Sequence, residues 1–182
     1  MKKWINIILY QAAWVIAVIG AARGDWWAAP TAVAAFAIVQ LWISERPRVD
    51  LYLMAVAAAA GFIVDSGFAQ SGALRYAATE QWTFAPIWIV ALWINFSLTL
   101  NHSLAYLKLH LALASLLGAV GAPLAYWVAA KGWNAIAFKD PPTATLAALA
   151  VVWAVVTPLL CVAARRLTER DGHIPLFGGT VS

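Results

Sequence analysis

TATLAALAVVWAVVTPLLCVAA, residues 143–164, runs for 22 residues without a charged side chain. A helix of about 20 mostly apolar residues crosses the ~30 Å hydrocarbon layer of a bilayer. Five further runs of the same character precede it, at residues 4–22, 26–44, 51–70, 86–107 and 111–130. Hydrophobic residues make up 64% of the chain and charged residues 11%, against about 25% charged in a soluble domain. The sequence therefore predicts an all-α, multi-pass membrane protein, with a six-helix transmembrane domain over residues 1–166 and a cytoplasmic polar tail over 167–182.

Lysine and arginine are unevenly divided between the two sides that six spans would create. Eight of the 12 fall on the side of the two termini: Lys2, Lys3, Arg46, Arg48, Lys108, Arg165, Arg166 and Arg170. The other side carries Arg23, Arg75, Lys131 and Lys139. Because cytoplasmic loops are enriched in these residues, we expect both termini in the cytoplasm. These loops explain the net charge of +4, and no basic face of the kind that binds nucleic acid is recognisable.

Asp65 and His102 are the only acidic or basic side chains within the predicted spans. A charged group at the bilayer centre costs about 2.5–3.5 kcal/mol on insertion scales, so such groups usually mark functional sites. Asn95, Thr99 and Gln11 are further polar residues of the spans. We predict that all five side chains face the bundle interior, as candidates for binding a ligand or a proton. The alternative, favoured for Gln11, Asn95 and Thr99, is a structural role in hydrogen bonds between helices.

Signatures of catalysis, metal binding and cofactor binding are missing from the sequence. There is no glycine-rich phosphate loop and no dinucleotide fingerprint. His102 and His110 stand eight residues apart without a third metal ligand nearby. Asp65 and His102 are suited to acid–base chemistry, but the rise of a helix separates their depths by about two turns or more. We therefore predict no catalytic residue, no metal and no cofactor, and the enzyme class ranks last without being excluded.

Tryptophan is abundant, with 11 residues in the chain. Most of them fall near the predicted ends of spans, where amphipathic rings favour the headgroup level of a membrane. Trp14, Trp93 and Trp153 lie deeper in their spans. These three are the candidates for lining a pocket.

Small residues predict where helices approach one another. Ala114, Gly118 and Ala122 recur at four-residue spacing, and such rows allow close packing of helix backbones in lipid. Asp65 is flanked by glycines at positions 61, 67 and 72, which predict an interruption of the helix that would free backbone groups for a ligand.

Four short motifs resemble an uncharacterised bacterial inner-membrane family, catalogued as domain of unknown function 2878. They are Asn6…Gln11…Trp14, Gly61-Phe62-Ile63-Val64-Asp65, Pro86-Ile87-Trp88…Leu92-Trp93…Phe96…Thr99-Leu100, and Gly118-Ala119-Val120-Gly121-Ala122-Pro123-Leu124-Ala125-Tyr126. The resemblance covers roughly residues 3–164, and the tail after Arg165 departs from it. It implies a multi-pass protein of the bacterial inner (cytoplasmic) membrane without an established activity, with membrane lipids and lipid-modifying enzymes as expected partners.

Two functions remain open at this point. The first is an accessory or binding protein that serves the modification of envelope lipids or fatty acids. The second is a small-solute or proton-coupled transporter that uses Asp65 as its carrier group. An inverted arrangement of two three-helix halves would suit a transporter, but the halves show no convincing sequence similarity. Neither the ligand nor the oligomeric state follows from the sequence.

Overall fold

The structure, a computed structural model, describes residues 2–78 and 83–172. These residues form six helices, one short 3₁₀ helix and two short strands. The helices are α1 (Lys2–Ala22), α2 (Ala28–Ile43), α3 (Pro47–Gln70), α4 (Ile87–Leu100), α5 (Leu111–Trp133) and α6 (Pro142–Asp171). The strands are β1 (Leu74–Tyr76) and β2 (Ile136–Phe138), and the 3₁₀ helix covers Ala105–Leu109. The all-α prediction is thus confirmed in its main feature.

Four of the helices, not six, are long and apolar enough to cross a membrane: α1, α3, α5 and α6. The helices α2 and α4 have only 16 and 14 residues, which gives them lengths of about 24 and 21 Å. The prediction of six full-length spans is therefore wrong for these two apolar segments. Helix α4 ends early because the polar residues that follow Leu100 turn away and bond to other elements.

Successive helices run in alternating directions between two ends of the bundle. At one end, Lys2 of α1 lies 3.5 Å from the carboxylate of Glu45, after α2. At the same end, Arg46 donates a 2.6 Å hydrogen bond to the carbonyl oxygen of Thr168 in α6. We call this the basic end, because the eight lysines and arginines counted above belong to the segments that meet there.

The opposite end of the bundle carries a feature that hydropathy did not predict. The strands β1 and β2 pair antiparallel there, with Leu74 opposite Phe138 and Tyr76 opposite Ile136. They belong to the connections that follow α3 and α5, so the pairing ties two distant loops together. We call this the strand end. The alternation of buried and exposed residues in Leu74–Tyr76 is only three residues long, which is too short to be read as a strand from sequence.

Helix boundaries differ from the predicted ones where proline or polar residues intervene. Helix α3 begins at Pro47 rather than residue 51, because proline suits the first turn of a helix. It then continues unbroken through Asp65 to Gln70, so the predicted interruption beside Asp65 is wrong. Helix α6 extends to Asp171 and takes up the first part of the predicted tail. Residues 173–182 of that tail lie outside the described residues.

A glycine of α5, Gly118, lets this helix pack closely on α6. A Cβ atom at Gly118 would lie 2.3 Å from the Thr157 hydroxyl oxygen and 2.3 Å from the Trp153 carbonyl oxygen. Pro158 leaves the Ala154 carbonyl without its usual partner in the helix, and Ser115 of α5 donates a 2.7 Å hydrogen bond to that carbonyl. The prediction of a close helix contact at Gly118 is confirmed.

Candidate functional site

Asp65 is fully buried near the strand end and accepts three hydrogen bonds. The Tyr76 hydroxyl donates to Oδ1 at 2.5 Å, the Tyr126 hydroxyl to Oδ1 at 2.6 Å, and the Trp93 indole Nε1 to Oδ2 at 2.6 Å. We call these four residues the Asp65 cluster. Hydrogen bonds to an ionised acceptor are about twice as strong as neutral ones. They offset much of the penalty for burying a carboxylate among apolar helices.

The Asp65 cluster joins four elements: α3, β1, α4 and α5. The prediction that Asp65 faces the interior, close to the fourth apolar segment, is confirmed by its bond to Trp93. Burial and the neighbouring Asp65 carboxylate both raise the pKa of Tyr76, so its phenol keeps the proton that it donates. Tyr76 and Tyr126 were not predicted as site residues, because neither position is polar enough to stand out in an apolar sequence.

A glycine on α3 makes room for the indole of Trp93. A Cβ atom at Gly61 would lie 2.2 Å from Cγ of Trp93 and 2.4 Å from its Cδ1. Gly61 is one turn before Asp65 on the same helix. The pair Gly61 and Asp65 therefore seats the ring and bonds its nitrogen from a single helix face. The packing of Trp93 on this helix face thus explains both the glycine and the aspartate of the Gly61-Phe62-Ile63-Val64-Asp65 motif.

A cavity of about 300 Å³ adjoins the Asp65 cluster. Residues of α1, α4, α5 and α6 line it, and none of them is charged. The three deep tryptophans predicted to line a pocket, Trp14, Trp93 and Trp153, are all in its wall. Leu117 and Gly121 of α5 also line it and are exposed on the bundle surface. Part of the cavity wall is thus exposed at the side of the bundle, on α5.

Two members of the Asp65 cluster, Trp93 and Tyr126, also belong to the wall of this cavity. Each therefore bonds Asp65 through its polar atom and offers its ring to the cavity. Asp65 itself does not line the cavity. Through its hydrogen bonds, Asp65 holds two aromatic side chains of the wall in place.

Two residues of α6 that belong to the cavity wall each carry a buried polar atom without a hydrogen-bond partner among the described residues. These atoms are the indole Nε1 of Trp153 and the hydroxyl oxygen of Thr157. The Trp153 side chain interacts with the Tyr126 hydroxyl, but not within ordinary hydrogen-bond geometry. Leaving a buried polar group unpaired costs about 1–3 kcal/mol.

His102 lies in a second polar cluster, at the basic end. Its Nε2 is 3.0 Å from Oδ2 of the buried Asp50, which also accepts hydrogen bonds from Ser44 at 2.6 Å and from Asn101 at 2.9 Å. We call these four residues the Asp50 cluster. Asp50 and Asp65 are 15 residues apart on α3, or about 22 Å along the helix axis. His102 and Asp65 therefore do not form one site. This agrees with the different depths that the sequence predicts for them.

Lys108 extends the Asp50 cluster from the 3₁₀ helix. Its ammonium group donates a 2.9 Å hydrogen bond to the Asn101 side-chain oxygen. Partial burial lowers the pKa of Lys108, and the nearby Asp50 carboxylate opposes that effect. The cluster connects the start of α3 to the end of α4 and so closes the basic end of the bundle.

The remaining predicted site residues have separate environments. The Asn95 amide donates to the Tyr10 carbonyl of α1 at 3.1 Å, and the Thr99 hydroxyl donates to the Phe96 carbonyl of its own helix at 2.6 Å. Both are buried, as predicted. Gln11 is exposed on the outside of α1, so the prediction that it faces the interior is wrong.

Asn6 and Gln40 take the interior position that Gln11 was expected to hold. The Asn6 amide donates to the Gln40 side-chain oxygen at 2.8 Å and to the Leu98 carbonyl at 2.9 Å. Ser103 donates to the Asn6 oxygen at 2.5 Å. Asn6 lies about one turn from Lys3, and Gln11 about one turn from Trp14. Helical spacing alone therefore did not show whether Asn6 or Gln11 faces the interior, because α1 has polar residues on more than one face.

No group of three histidine, cysteine, aspartate or glutamate side chains suited to a metal ion occurs among residues 2–78 and 83–172. The arrangement instead combines an uncharged aromatic cavity with a carboxylate that holds part of its wall.

These features define the class: a mainly helical bundle with four helices fit to cross a membrane and an aromatic cavity between α1, α4, α5 and α6. The chain belongs to the family described as a protein of unknown function, DUF2878, whose model matches residues 3–159. The resemblance drawn from the sequence motifs is thereby confirmed. No curated protein and no solved structure matches the chain.

Proposed function

We propose that the protein is an integral membrane protein that binds a small apolar molecule in the cavity between α1, α4, α5 and α6. The observation that carries the proposal is the cavity's wall, which is built from aromatic and small side chains without a charge. Ligand sites typically have volumes of about 300–1,000 Å³ and mostly apolar walls. At about 300 Å³, this cavity suits a single chain or ring system rather than a whole phospholipid.

The exposed part of the wall supports a ligand that arrives from the membrane. Leu117 and Gly121 line the cavity and are exposed on α5, a helix with the length and composition of a span. The Asp65 and Asp50 clusters hold the strand end and the basic end together with buried hydrogen bonds. An apolar molecule dissolved in the bilayer would meet the exposed part of the wall on α5 directly.

The cellular setting follows as part of the same proposal. We place the protein in a bacterial inner membrane with the basic end, and so both chain termini, facing the cytoplasm, on the strength of the lysine and arginine bias. Binding an apolar molecule without a catalytic group suits an accessory protein. The partners would be membrane lipids and an enzyme that modifies lipids or fatty acids.

A cavity-filling variant tests the binding proposal. In lipid nanodiscs, the Ala125→Phe variant adds a ring to the cavity wall, whereas Val120→Phe adds it on the exposed face of the same helix. With radiolabelled decane as the probe, we expect Ala125→Phe to weaken saturable binding at least about tenfold, and Val120→Phe to leave it unchanged. Equal binding by the two variants and the wild type would contradict the proposal.

Transport is the second candidate, and the buried carboxylate supports it. Asp65 is fully buried and lies one hydrogen bond behind two side chains of the cavity wall. Buried ionisable groups in membrane helices often serve proton relays. A transporter predicts proton movement driven by solute in proteoliposomes, lost in the Asp65→Asn variant. A binding protein predicts no such proton flux in either variant, while decane binding persists.

A further inference from the structure

The strands β1 and β2 form a small ribbon with two different faces. Leu74, Tyr76 and Ile136 lie on its inner face and are at most 8% exposed. Arg75 and Ala137, which pair with each other, are exposed on its outer face. A buried apolar face and a solvated outer face are typical of an antiparallel sheet that covers a core. We call these two strands the ribbon.

The ribbon forms part of the cavity wall. Ile136 of β2 lines the cavity. Trp88 of α4 also lines it and donates a 3.0 Å hydrogen bond from its indole Nε1 to the Ala77 carbonyl oxygen, directly after β1. The rings of Tyr76 and Trp88 meet edge to face, with centroids 6.0 Å apart. The ribbon therefore lies between the cavity and the outside of the strand end.

The Tyr76 hydroxyl ties the ribbon to the interior of the bundle. It donates a 2.5 Å hydrogen bond to Oδ1 of Asp65, a fully buried residue of α3. The chain enters each strand through a turn, in which Gly72 has a φ of 70° and Asn134 a φ of 58°. Hinges commonly lie at such positions between elements. The ribbon thus combines a turn before each strand with a polar bond to the bundle.

We propose that the ribbon is a lid over the cavity, that the bond from Tyr76 to Asp65 holds it closed, and that the apolar ligand passes to the water side when the lid opens. This inference rests on the proposed binding function and adds a route at the strand end to the contact with lipid on α5. Tyr76 does not line the cavity, so it is a positioning residue that acts through Asp65. A protein that passes an apolar molecule from the bilayer to an acceptor in water needs both routes.

Labelling at position 136 reports whether the lid opens. Ile136 is only 4% exposed, so Ile136→Cys in a Cys161→Ser background should react with a water-soluble maleimide in nanodiscs only when the ribbon lifts. The native Cys161, buried in α6, reports general loosening in a chain without the added cysteine. Tyr126→Phe is the matched control for Tyr76→Phe, because it removes a hydrogen bond to the same Asp65 oxygen from a helix rather than from the ribbon.

We expect Tyr76→Phe to raise the labelling rate at position 136 at least about tenfold, because a hydrogen bond to a charged group is lost. Labelling of Cys161 should change less than about twofold. Tyr126→Phe should raise labelling at position 136 less than about threefold. No rise at position 136, an equal rise at Cys161, or an equal rise in the two tyrosine variants would overturn the inference.

Hydrogen exchange gives a second measurement that needs no added cysteine. A two-stranded ribbon that leaves the bundle is barely stable by itself, so its amides lose protection. The Ala77 amide, which bonds to the Ala135 carbonyl oxygen at 2.9 Å, should exchange at least about tenfold faster in Tyr76→Phe than in the wild type. Exchange at the wild-type rate would overturn the inference even if the Ile136→Cys variant does not fold.

Decane separates this inference from the binding proposal. Bound decane would contact Ile136 from inside the cavity, so it should favour the closed lid and slow labelling at position 136 at least about threefold. Decane that binds saturably without slowing this labelling would overturn the inference and leave the binding proposal standing. If decane does not bind saturably, the binding proposal fails, and the labelling of the Tyr76→Phe variant still decides whether the ribbon opens as a lid.

Discussion

The Tyr126 hydroxyl of α5 donates a 2.6 Å hydrogen bond to the Asp65 carboxylate of α3 across 61 residues of sequence. The same carboxylate oxygen accepts the hydroxyl of Tyr76 from β1. One buried side chain therefore ties the strand end, α3 and α5 together, and through Trp93 it also holds α4. This contact set places two rings in the cavity wall, so the stability of the bundle and the shape of the cavity depend on the same residue.

The Asp65→Asn variant should lose stability. An amide accepts only through its oxygen, so its NH₂ group would face the Trp93 N–H, and two donors would meet. We expect a loss of about 1–3 kcal/mol, measured as detergent thermal unfolding. Asp65→Leu should lose more, because it leaves three buried donors unpaired.

The double variant Asp65→Asn with Trp93→Phe isolates that pair of donors. Phenylalanine removes the N–H, so Trp93→Phe should cost less stability when it is added to the Asp65→Asn variant than when it is made in the wild type. Purely additive losses would show that the Trp93 bond contributes nothing specific.

Gly61→Ala should destabilise the protein by about 1–3 kcal/mol, because the added methyl group would overlap the Trp93 ring and force it away from Asp65. Gly67→Ala is the control on the same helix, since nothing lies within 4 Å of a Cβ atom there, and alanine is about 1 kcal/mol better than glycine within a helix. The measurement is the difference in Tm of the two variants in one detergent. A Gly61→Ala variant as stable as Gly67→Ala would contradict the contact.

Thr157→Val should raise the stability of the protein. The hydroxyl is buried without a described partner, and valine has nearly the same shape without a polar atom to desolvate. The expected gain is about 1 kcal/mol, seen as a higher Tm before any probe is added. A lower Tm would mean that the hydroxyl supports the fold.

Labelling from outside the cell should separate the two ends of the bundle. Cys161 is the sole cysteine, so a Cys161→Ser background accepts single cysteines at the exposed positions Arg48, at the basic end, and Arg75, in β1. A membrane-impermeant maleimide should label position 75 in intact spheroplasts and position 48 only after lysis. The reverse pattern would invert the proposed orientation.

Much of the helical fold follows from apolar runs and from small residues, because both are local features of the chain. The buried position of Asp65 also follows, since a carboxylate among apolar residues has few stable alternatives to the interior. The depth of Trp14, Trp93 and Trp153 in their runs was enough to predict a pocket. Hydropathy could not distinguish α4 from a full span, because Leu104, Ala105 and Leu107 continue the apolar run beyond the three polar side chains that end the helix.

The partners of Asp65 and His102 could not be predicted, for a physical reason. Tyr76 reaches Asp65 only because β1 pairs with β2, and pairing between loops more than 50 residues apart leaves no local pattern. His102 bonds to Asp50, which looked like a loop residue because α3 begins earlier than its apolar run. Gln11 and Asn6 share one helix, and which of them faces inward depends on where α2 and α4 pack.

Photolabelling of α5 shows directly whether an apolar molecule occupies the cavity. A decane analogue with a diazirine at its end should label Leu117 and Ala125, which line the cavity, and excess decane should suppress that labelling. Leu116 and Leu124 are about 60% exposed on the outer face of the same helix, and their labelling by bulk probe should not respond to competition. Labelling that is equal on both faces and insensitive to decane would contradict a binding site in this cavity.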